Sequence, residues 1–282
     1  MTLSAAGWLA VLWVNAMVGW VEPAAPSAPP WGSKGHEIAA SIAVDRLPAA
    51  VPAFFRDAGP QLIWLDPEPD RWRSRGMAAM DQAWRYDHYV DFENLPVGAL
   101  DAPDRFTYLS ELYAADLGNP ARDGGFLPYR ITELYQRLVT SWQQWHRTDN
   151  GAEERSWIEA RILNDAGILG HYVTDGSQPH HTTIHHNGWN DSAANPEGFT
   201  TDRSFHGRFE SDFVNAHVTR EVVAQRVGPL STAGESDVRY AVLNYLAATH
   251  DTLERLYELE RDVGFDPRAP AQPAAEAFAA DR

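Results

Sequence analysis

The sequence contains no cysteine among its 282 residues. Disulfides, thiolate zinc sites and cysteine nucleophiles are therefore excluded. Positive charge is also scarce, with 23 Lys and Arg against 39 Asp and Glu and a formal charge of −16. This balance argues against a broad basic face for duplex nucleic acid or anionic membranes. A phosphate-bearing substrate would need another source of local positive charge, and a metal cluster is the obvious supplier.

Long hydrophobic runs are also missing, apart from residues 7–21 near the N-terminus, which are apolar except for Asn15. This run is shorter than the roughly 20 residues that a membrane-spanning helix needs. With the Pro/Ala-rich segment that follows, it predicts a signal peptide over residues 1–30 and a secreted or periplasmic protein that begins near Trp31. The alternative is an N-terminal membrane anchor, because residues 1–7 lack Lys and Arg and no clean cleavage motif follows.

Beyond residue 31 the hydrophobic pattern has a helical period. It predicts an all-α fold, a single multi-helix domain with long loops over residues 31–265 and a flexible tail over 266–282. The predicted helices are 36–47, 105–117, 129–147, 153–174, 205–227 and 236–263. Residues 60–104 are predicted to be irregular, with one short extended run at 88–92, and residues 182–204 to form a polar loop.

The main candidate functional residues in the sequence are two histidine–carboxylate pairs. His171 and Asp175 are four residues apart on a predicted helix, so both side chains lie on one face. His206 and Glu210 repeat this spacing, and His181 follows the glycine and proline that end the first helix. One such pair is most often a surface or capping pair. Two pairs and a further histidine form the nitrogen and oxygen ligand set that suits zinc.

Other candidates lie earlier in the chain. His36 comes five residues after Trp31, and the irregular segment offers Asp70 and His88, with Asp66 as the alternative acidic ligand. His146 and His250 lack a partner pattern and are predicted to lie on helix surfaces. Histidines in or beside the polar loop are expected to support ligands or to face solvent; these are His180, His185 and His186.

The order and spacing of these residues resemble those of the zinc-dependent single-strand-specific nucleases (S-one/P-one type) and the related zinc-dependent bacterial phospholipases C. The shared pattern is Trp-x4-His, Asp, His, His-x3-Asp-x5-His and His-x3-Asp/Glu. It runs from Trp31 to Glu210, and the last helices fit as well. The resemblance therefore covers essentially the whole mature chain and implies that its loops surround a trinuclear zinc cleft.

The resemblance implies three Zn²⁺ per chain, each with its own ligands. The first zinc would take Asp70, His88 and His171, with the carboxylate of Asp175 shared. The second would take the other oxygen of Asp175, His36, and the α-amino group and carbonyl of Trp31. The third would take His181, His206 and Glu210. The first two ions would activate a bridging water as hydroxide, and Arg73 would contact the phosphate. Asp70, Arg73 and Asp175 are thus the predicted catalytic residues.

The two branches of the resemblance differ in their substrates. Tyr89 and Asp91 match the nuclease strand whose aromatic ring stacks a base and whose carboxylate reads its edge. Glu210 and the lack of cysteine resemble the phospholipase branch. We expect a nuclease or nucleotidase acting on single-stranded DNA and RNA, with phospholipase C acting on phosphatidylcholine-like lipids as the alternative. A zinc-binding protein without catalytic activity is a third hypothesis for the function. No protein partner is implied, and a monomer is expected.

Overall fold

The structure, a computed structural model, describes residues 32–73, 76–228 and 237–269. Within these ranges the secondary structure is helical, and extended pairing is limited to isolated bridges between Val90 and Gly125 and between His186 and Gly188. The prediction of an all-α single domain is confirmed. The predictions for Trp31, for the N-terminal segment and for residues 270–282 of the tail lie outside the described residues.

The first part of the domain consists of short helices around one longer helix. Their bounds are α1 Ser33–Asp45, α2 Ala53–Asp57, α3 Gly59–Leu65, α4 Glu68–Arg71, α5 Ala78–Trp84, α6 Arg105–Ala114 and α7 Pro120–Gly124. Three 3₁₀ helices lie between α5 and α6, at Arg85–His88, Phe92–Asn94 and Ala99–Asp101. Asp104 caps α6 by accepting hydrogen bonds from the backbone N–H groups of Phe106 and Thr107, as N-cap residues do.

The second part contains the two longest helices. Their bounds and those of the helices that follow are α8 Leu127–Trp145, α9 Ala152–Asp175, α10 Phe205–Gly207, α11 Val214–His217, α12 Arg220–Ala224, α13 Val238–His250 and α14 Leu253–Asp262. A π-helical segment, Arg208–Phe213, joins α10 to α11, and a 3₁₀ helix occupies Pro179–Thr182. Residues 183–204 form the predicted loop.

The central core lies where α8 and α9 pack together. Ile131 and Leu134 of α8 meet Ile168 and Tyr172 of α9, and Leu246 of α13 closes the same cluster. Each fully buried side chain of this kind contributes about 1.5–3 kcal/mol. This packing buries the C-terminal half of α9, so its last turn ends inside the domain.

The prediction for residues 60–104 was wrong in one respect. The segment was expected to be irregular because it is rich in proline, aspartate and glycine, yet it contains α3, α4 and α5. Pro60 and Pro69 each lie in the first turn of a helix. Proline is favourable there because its fixed φ suits the helix and its missing N–H is not needed.

The predicted last helix also differs from the structure. One helix was expected over 236–263, but α13 ends at His250 and α14 begins at Leu253. Within the described residues, no helix is both long enough and apolar enough to cross a membrane.

Candidate metal centre

The last turn of α9 carries the first two candidate ligands. His171 and Asp175 lie one turn apart, with His171 Nε2 3.2 Å from Asp175 Oδ2. His36 of α1 stacks on His171, with ring centroids 4.2 Å apart. All three side chains are buried. The i, i+4 spacing read from the sequence therefore places a histidine–carboxylate pair inside the domain.

The carboxylate of Asp175 faces imidazoles on two sides. Its Oδ2 lies 3.0 Å from His88 Nδ1 and 3.2 Å from His171 Nε2. Its Oδ1 lies 3.6 Å from His36 Nε2 and 3.3 Å from His181 Nδ1. Each oxygen thus belongs to a different neighbourhood, which is the arrangement of a carboxylate that can be shared between two ions.

The two acidic residues of the preceding segment have different positions. Asp70 Oδ1 lies 3.9 Å from His88 Nδ1 and 4.0 Å from His171 Nε2. Asp66 lies behind His36 and accepts a 2.9 Å hydrogen bond from its Nδ1. The structure therefore brings Asp70 together with the ligand histidines, whereas Asp66 orients His36 and leaves its Nε2 facing Asp175.

A glycine on α9 makes room for Asp66. A Cβ at Gly170 would lie 2.4 Å from Asp66 Oδ2, so any side chain at this position would push the carboxylate away. Burial lowers the pKa of His36, but the hydrogen bond to Asp66 and the negative charge of Asp175 outweigh it and raise that pKa to about 9. Asp66 therefore acts on His36 both by position and by charge.

The second histidine–carboxylate pair forms a separate group. His206 Nε2 lies 2.8 Å from Glu210 Oε2, and His181 Nε2 lies 3.9 Å from the same oxygen. Glu210 belongs to the π-helical segment, a distortion that is frequent at functional sites. Since His181 also approaches Asp175, it lies between this group and the first one.

Three sets of side chains could each hold a metal ion, and in each set the donor atoms lie within 4.8 Å of one another. The sets are His36, His171 and Asp175; Asp70, His88 and His171; and His181, His206 and Glu210. Donors at about 2.1 Å from a tetrahedral zinc lie about 3.4 Å apart. The separations of 3.0–3.6 Å around Asp175 and of 3.9–4.0 Å around Asp70 therefore suit a metal.

The charges of the centre also call for a cation. Asp66, Asp70, Asp175 and Glu210 lie within it, and no Lys or Arg in the described part of the chain forms an ion pair with any of them. Asp70 Oδ2 is buried without a hydrogen-bond partner. Buried charges are normally paired or coordinate metals, so this donor set fits one or more metal ions.

The pKa shifts of His88, His171 and Asp175 agree with this fit. Burial lowers the pKa of His88 and His171, which favours the neutral imidazole that binds metals. Burial raises the pKa of Asp175, but the neighbouring His171 and His181 outweigh it and hold that pKa well below its ordinary value. Burial, together with the charges of Asp175 and Asp70, raises the pKa of Glu210.

Four of the candidate ligands, His88, His181, His206 and Glu210, line a cavity of about 670 Å³, which we call the main cavity. Arg73, Tyr89 and Asp91, the predicted substrate residues, all line it. The Tyr89 hydroxyl donates a 2.6 Å hydrogen bond to the backbone carbonyl of Arg122, which fixes the ring. Burial, with the charges of Glu93 and Asp123, raises the pKa of Asp91 to about 8.

Sequence reasoning missed a set of hydrogen bonds that holds the segment directly after His181. Glu93 accepts hydrogen bonds from the Thr183 hydroxyl and from the Ile184 backbone N–H. His250 donates from Nδ1 to the Thr182 carbonyl at 2.9 Å, so its prediction as a helix-surface histidine without a partner was wrong. These contacts hold the chain just after His181. They join residues about 70–90 positions apart, and no local pattern signals them.

His180, expected to support ligands or to face solvent, is buried. Its ring packs against Phe205, Phe209 and Tyr257 and lies beside the ring of the candidate ligand His206, with centroids 4.9 Å apart. The predicted ligand Trp31 lies outside the described residues, but its neighbour Gly32 is described. A Cβ on Gly32 would lie 2.5 Å from the Glu210 carbonyl oxygen. Gly32 is therefore packed against the segment that carries Glu210.

No family model matches the chain, no curated protein matches it and no solved structure matches it.

Proposed function

We propose that the chain is a secreted, zinc-dependent phosphodiesterase that hydrolyses P–O bonds, with single-stranded DNA and RNA or nucleotides as its substrates. The observation that supports this most directly is the two-sided carboxylate of Asp175. Its oxygens face separate sets of imidazoles, and His181 connects it to the third ligand group. A site that only stabilised the fold would not need two adjoining ligand groups open to a cavity.

In this proposal three Zn²⁺ bind to the chain. Asp70, His88, His171 and Asp175 would hold one ion; His36 and Asp175 would hold the second with Trp31; and His181, His206 and Glu210 would hold the third. Zinc ions at such sites supply a hydroxide nucleophile near neutral pH and positive charge for the phosphate. The protein supplies the ligands, their orientation and their largely buried surroundings.

The remaining residues of the main cavity bind and orient the substrate. The guanidinium of Arg73, just after α4, lies close enough that its charge acts to lower the pKa of Asp70, His88 and Glu210. A phosphate bound among these ligands would therefore lie near a positive charge. Tyr89 offers a fixed ring face for a base. With a pKa of about 8, the carboxyl of Asp91 keeps its proton at neutral pH and can both donate to and accept from a base edge.

The lining of the main cavity favours nucleic acid over phospholipid. Arg85 and Arg122 join Arg73 around it, and Asn94 adds an amide. Ile184 supplies the aliphatic surface of the lining. The arginines and the amide suit a phosphodiester with hydrogen-bonding bases, and Asp91 and Asp123 in the same lining can accept hydrogen bonds from base edges. Glu210 as the last ligand remains the feature that favours the alternative, a phospholipase C acting on phosphatidylcholine-like lipids.

The test combines metal analysis of the mature protein with assays on single-stranded DNA, RNA and phosphatidylcholine. We expect three zinc ions per chain and cleavage of both single-stranded polymers. His206→Ala should lose one zinc and the activity. His146→Ala, a change at an exposed histidine that directly follows α8, should change neither. Brisk hydrolysis of phosphatidylcholine without nucleic acid cleavage would establish the alternative. Full zinc content without any hydrolysis would show a binding protein.

A requirement for processing before Trp31 can be tested on the same protein. If the free α-amino group of Trp31 is a ligand, the chain trimmed to Trp31 should contain one more zinc than the unprocessed chain and should be much more active. An unprocessed chain with its full zinc content would refute this ligand.

A further inference from the structure

The loop between α9 and α10 encloses a second cavity, of about 260 Å³, beside the main one. Ile184, His186, Asn187 and Asn190 line both cavities, so the two adjoin along this part of the loop. The main cavity reaches the ligand group of His181, His206 and Glu210 from the same side. A substrate bound at that group can therefore extend into the second cavity.

The lining of the second cavity is polar. Asp191, Thr201 and Arg203 surround it together with Asn187, and Trp189 provides one aromatic wall. A guanidinium, a carboxylate, a hydroxyl and an amide are the groups that bind a phosphate and the hydroxyls of a sugar. The volume is below the roughly 300–1,000 Å³ of typical ligand cavities, which suits one sugar–phosphate unit and not two acyl chains.

Arg203 differs from the other arginines near this loop. Arg208 is paired with Glu260 at 2.7 Å, and Arg261 with Asp262 at 3.0 Å. For Arg203, no hydrogen bond or ion pair of its guanidinium occurs within the described ranges, and the residue is exposed. An exposed guanidinium at the edge of a cavity, without an internal partner, is available to a phosphate.

His186 stands where the two cavities meet. Its Nδ1 donates a 3.1 Å hydrogen bond to the Thr183 carbonyl, so the neutral ring has its lone pair on Nε2. No residue in the described part of the chain is hydrogen-bonded to that nitrogen. The adjacent His185 has the opposite tautomer, because its Nδ1 accepts from the Asn190 N–H at 2.9 Å. The loop thus places one hydrogen-bond acceptor between the two cavities.

We propose that the second cavity is a binding site for the nucleotide next to the cleaved phosphodiester, on the side of His206 and Glu210. Arg203 contacts the phosphate that follows, and His186 Nε2 accepts a hydrogen bond from the base between the two phosphates or, in RNA, from the 2′-hydroxyl. This inference rests on the proposed function and narrows it. The substrate class becomes single-stranded oligonucleotides with at least two phosphates, which the enzyme prefers over small diesters with one.

The test compares Arg203→Ala with Arg226→Ala, a matched exposed arginine that lines neither cavity. The zinc-loaded mature protein is assayed on a ten-nucleotide single strand, on a dinucleotide with one phosphate and on bis-nitrophenyl phosphate. For Arg203→Ala we expect the KM for the ten-mer to rise about three- to tenfold, the scale of one partly exposed charged contact. The kcat and both small substrates should be unaffected. Arg203→Lys should restore part of the loss.

Binding provides a second readout that does not depend on turnover. Affinity for a cleavage-resistant phosphorothioate ten-mer is measured by fluorescence anisotropy over a range of salt concentrations. Loss of one phosphate contact should reduce the slope of log affinity against log salt by about 0.7 in Arg203→Ala. Arg226→Ala should retain the wild-type slope.

The possible failures can be told apart. Equal affinity and KM for the ten-mer in Arg203→Ala and wild type would overturn the second site, as would an equal loss on bis-nitrophenyl phosphate. A wild-type protein that cleaves bis-nitrophenyl phosphate but binds the ten-mer no better than the dinucleotide would keep the proposed function and remove the second site. A protein that cleaves no phosphodiester would overturn the proposed function itself.

Discussion

The floor and the rim of the main cavity are built in opposite ways. The floor consists of the ligand groups around Asp175, which reach the cavity through His88, His181, His206 and Glu210. These groups come mainly from helices and are almost fully buried, and behind the lining His171 is at 0% exposure and Asp175 at 2%. The rim consists of Tyr89, Arg122 and the loop over 183–204, and the side chain of Arg122 is 60% exposed. Rigid elements thus hold the charges that are costly to bury, and loops hold those that water can solvate.

The difference has an energetic consequence. Carboxylates buried without a cation destabilise the fold, because desolvation penalises their charged form. A metal that neutralises the floor therefore stabilises the native state as well as supplying chemistry. For the exposed groups of the rim, binding of a ligand is not coupled to the stability of the fold in this way. Changes in the floor should alter both stability and activity, whereas changes in the rim should alter the choice of substrate.

Chelation should have the largest effect. Removing the metals leaves Asp70, Asp175 and Glu210 to repel one another in a buried site. Binding at 1,000 times Kd contributes about 4 kcal/mol for a single ion, so the Tm should fall by many degrees and activity should vanish. Calorimetry before and after removal of zinc measures this. An unchanged Tm, once the zinc is shown to be gone, would contradict a metal-filled floor.

Asp175→Asn should abolish hydrolysis of both oligonucleotides and bis-nitrophenyl phosphate and should reduce the zinc content. The amide keeps the shape but loses the charge that two ligand groups share. The matched control is Asp165→Asn, a second buried acid on α9 whose partner is Arg137 at 2.9 Å. That variant should lose stability yet retain its zinc and its kcat. Equal zinc loss in both variants would mean that the floor responds only to the stability of α9.

Asp91 lies between floor and rim, and its burial predicts a pH-dependent stability. With a pKa of about 8 in the folded state and an ordinary value when unfolded, the folded state binds the extra proton between about pH 4 and pH 8. Stability therefore decreases as the pH rises through this range, by at most about 1.4 kcal/mol per pH unit.

Asp91→Asn tests this, because the amide mimics the protonated acid and does not titrate. Its Tm should match that of the wild type near pH 4 and should exceed it at pH 8. Asp57→Asn, a change at an exposed acid on α2, should show no such divergence. Parallel Tm curves for wild type and Asp91→Asn across this range would contradict the raised pKa.

The smallest effect should come from the rim. Tyr89→Ala should lose about 1–3 kcal/mol of base stacking and should impair cleavage of single-stranded DNA and RNA. Hydrolysis of bis-nitrophenyl phosphate and the Tm should remain close to those of the wild type. Tyr89→Phe keeps the ring and removes only the hydrogen bond to the Arg122 carbonyl, so it should retain most of the activity. An equal loss on both kinds of substrate would place Tyr89 in the floor instead.

Local patterns in the sequence were sufficient for the two longest helices and for the histidine–carboxylate ligand pairs. The spacing of His171 and Asp175, and of His206 and Glu210, predicts that each pair shares a helix face, and both pairs are in contact. The long helices α8 and α9 followed from their apolar period. The short helices α3 and α4 did not, because proline was read as a helix breaker where it begins a helix.

Convergence of the ligand groups on Asp175 was decided only by the tertiary structure. His36 stacks on His171 because α1 packs against α9, and His88 approaches Asp175 because the Val90 N–H donates to the His181 carbonyl at 2.9 Å. Such contacts depend on packing between distant segments, which local spacing does not encode. Packing also decided between Asp66 and Asp70 as the metal ligand. Only the positions of α1 and α9 show that Asp66 orients His36 and that Asp70 joins the ligands. The sequence by itself determined the donor types and their local pairing, and the packing of helices determined which donors share a centre.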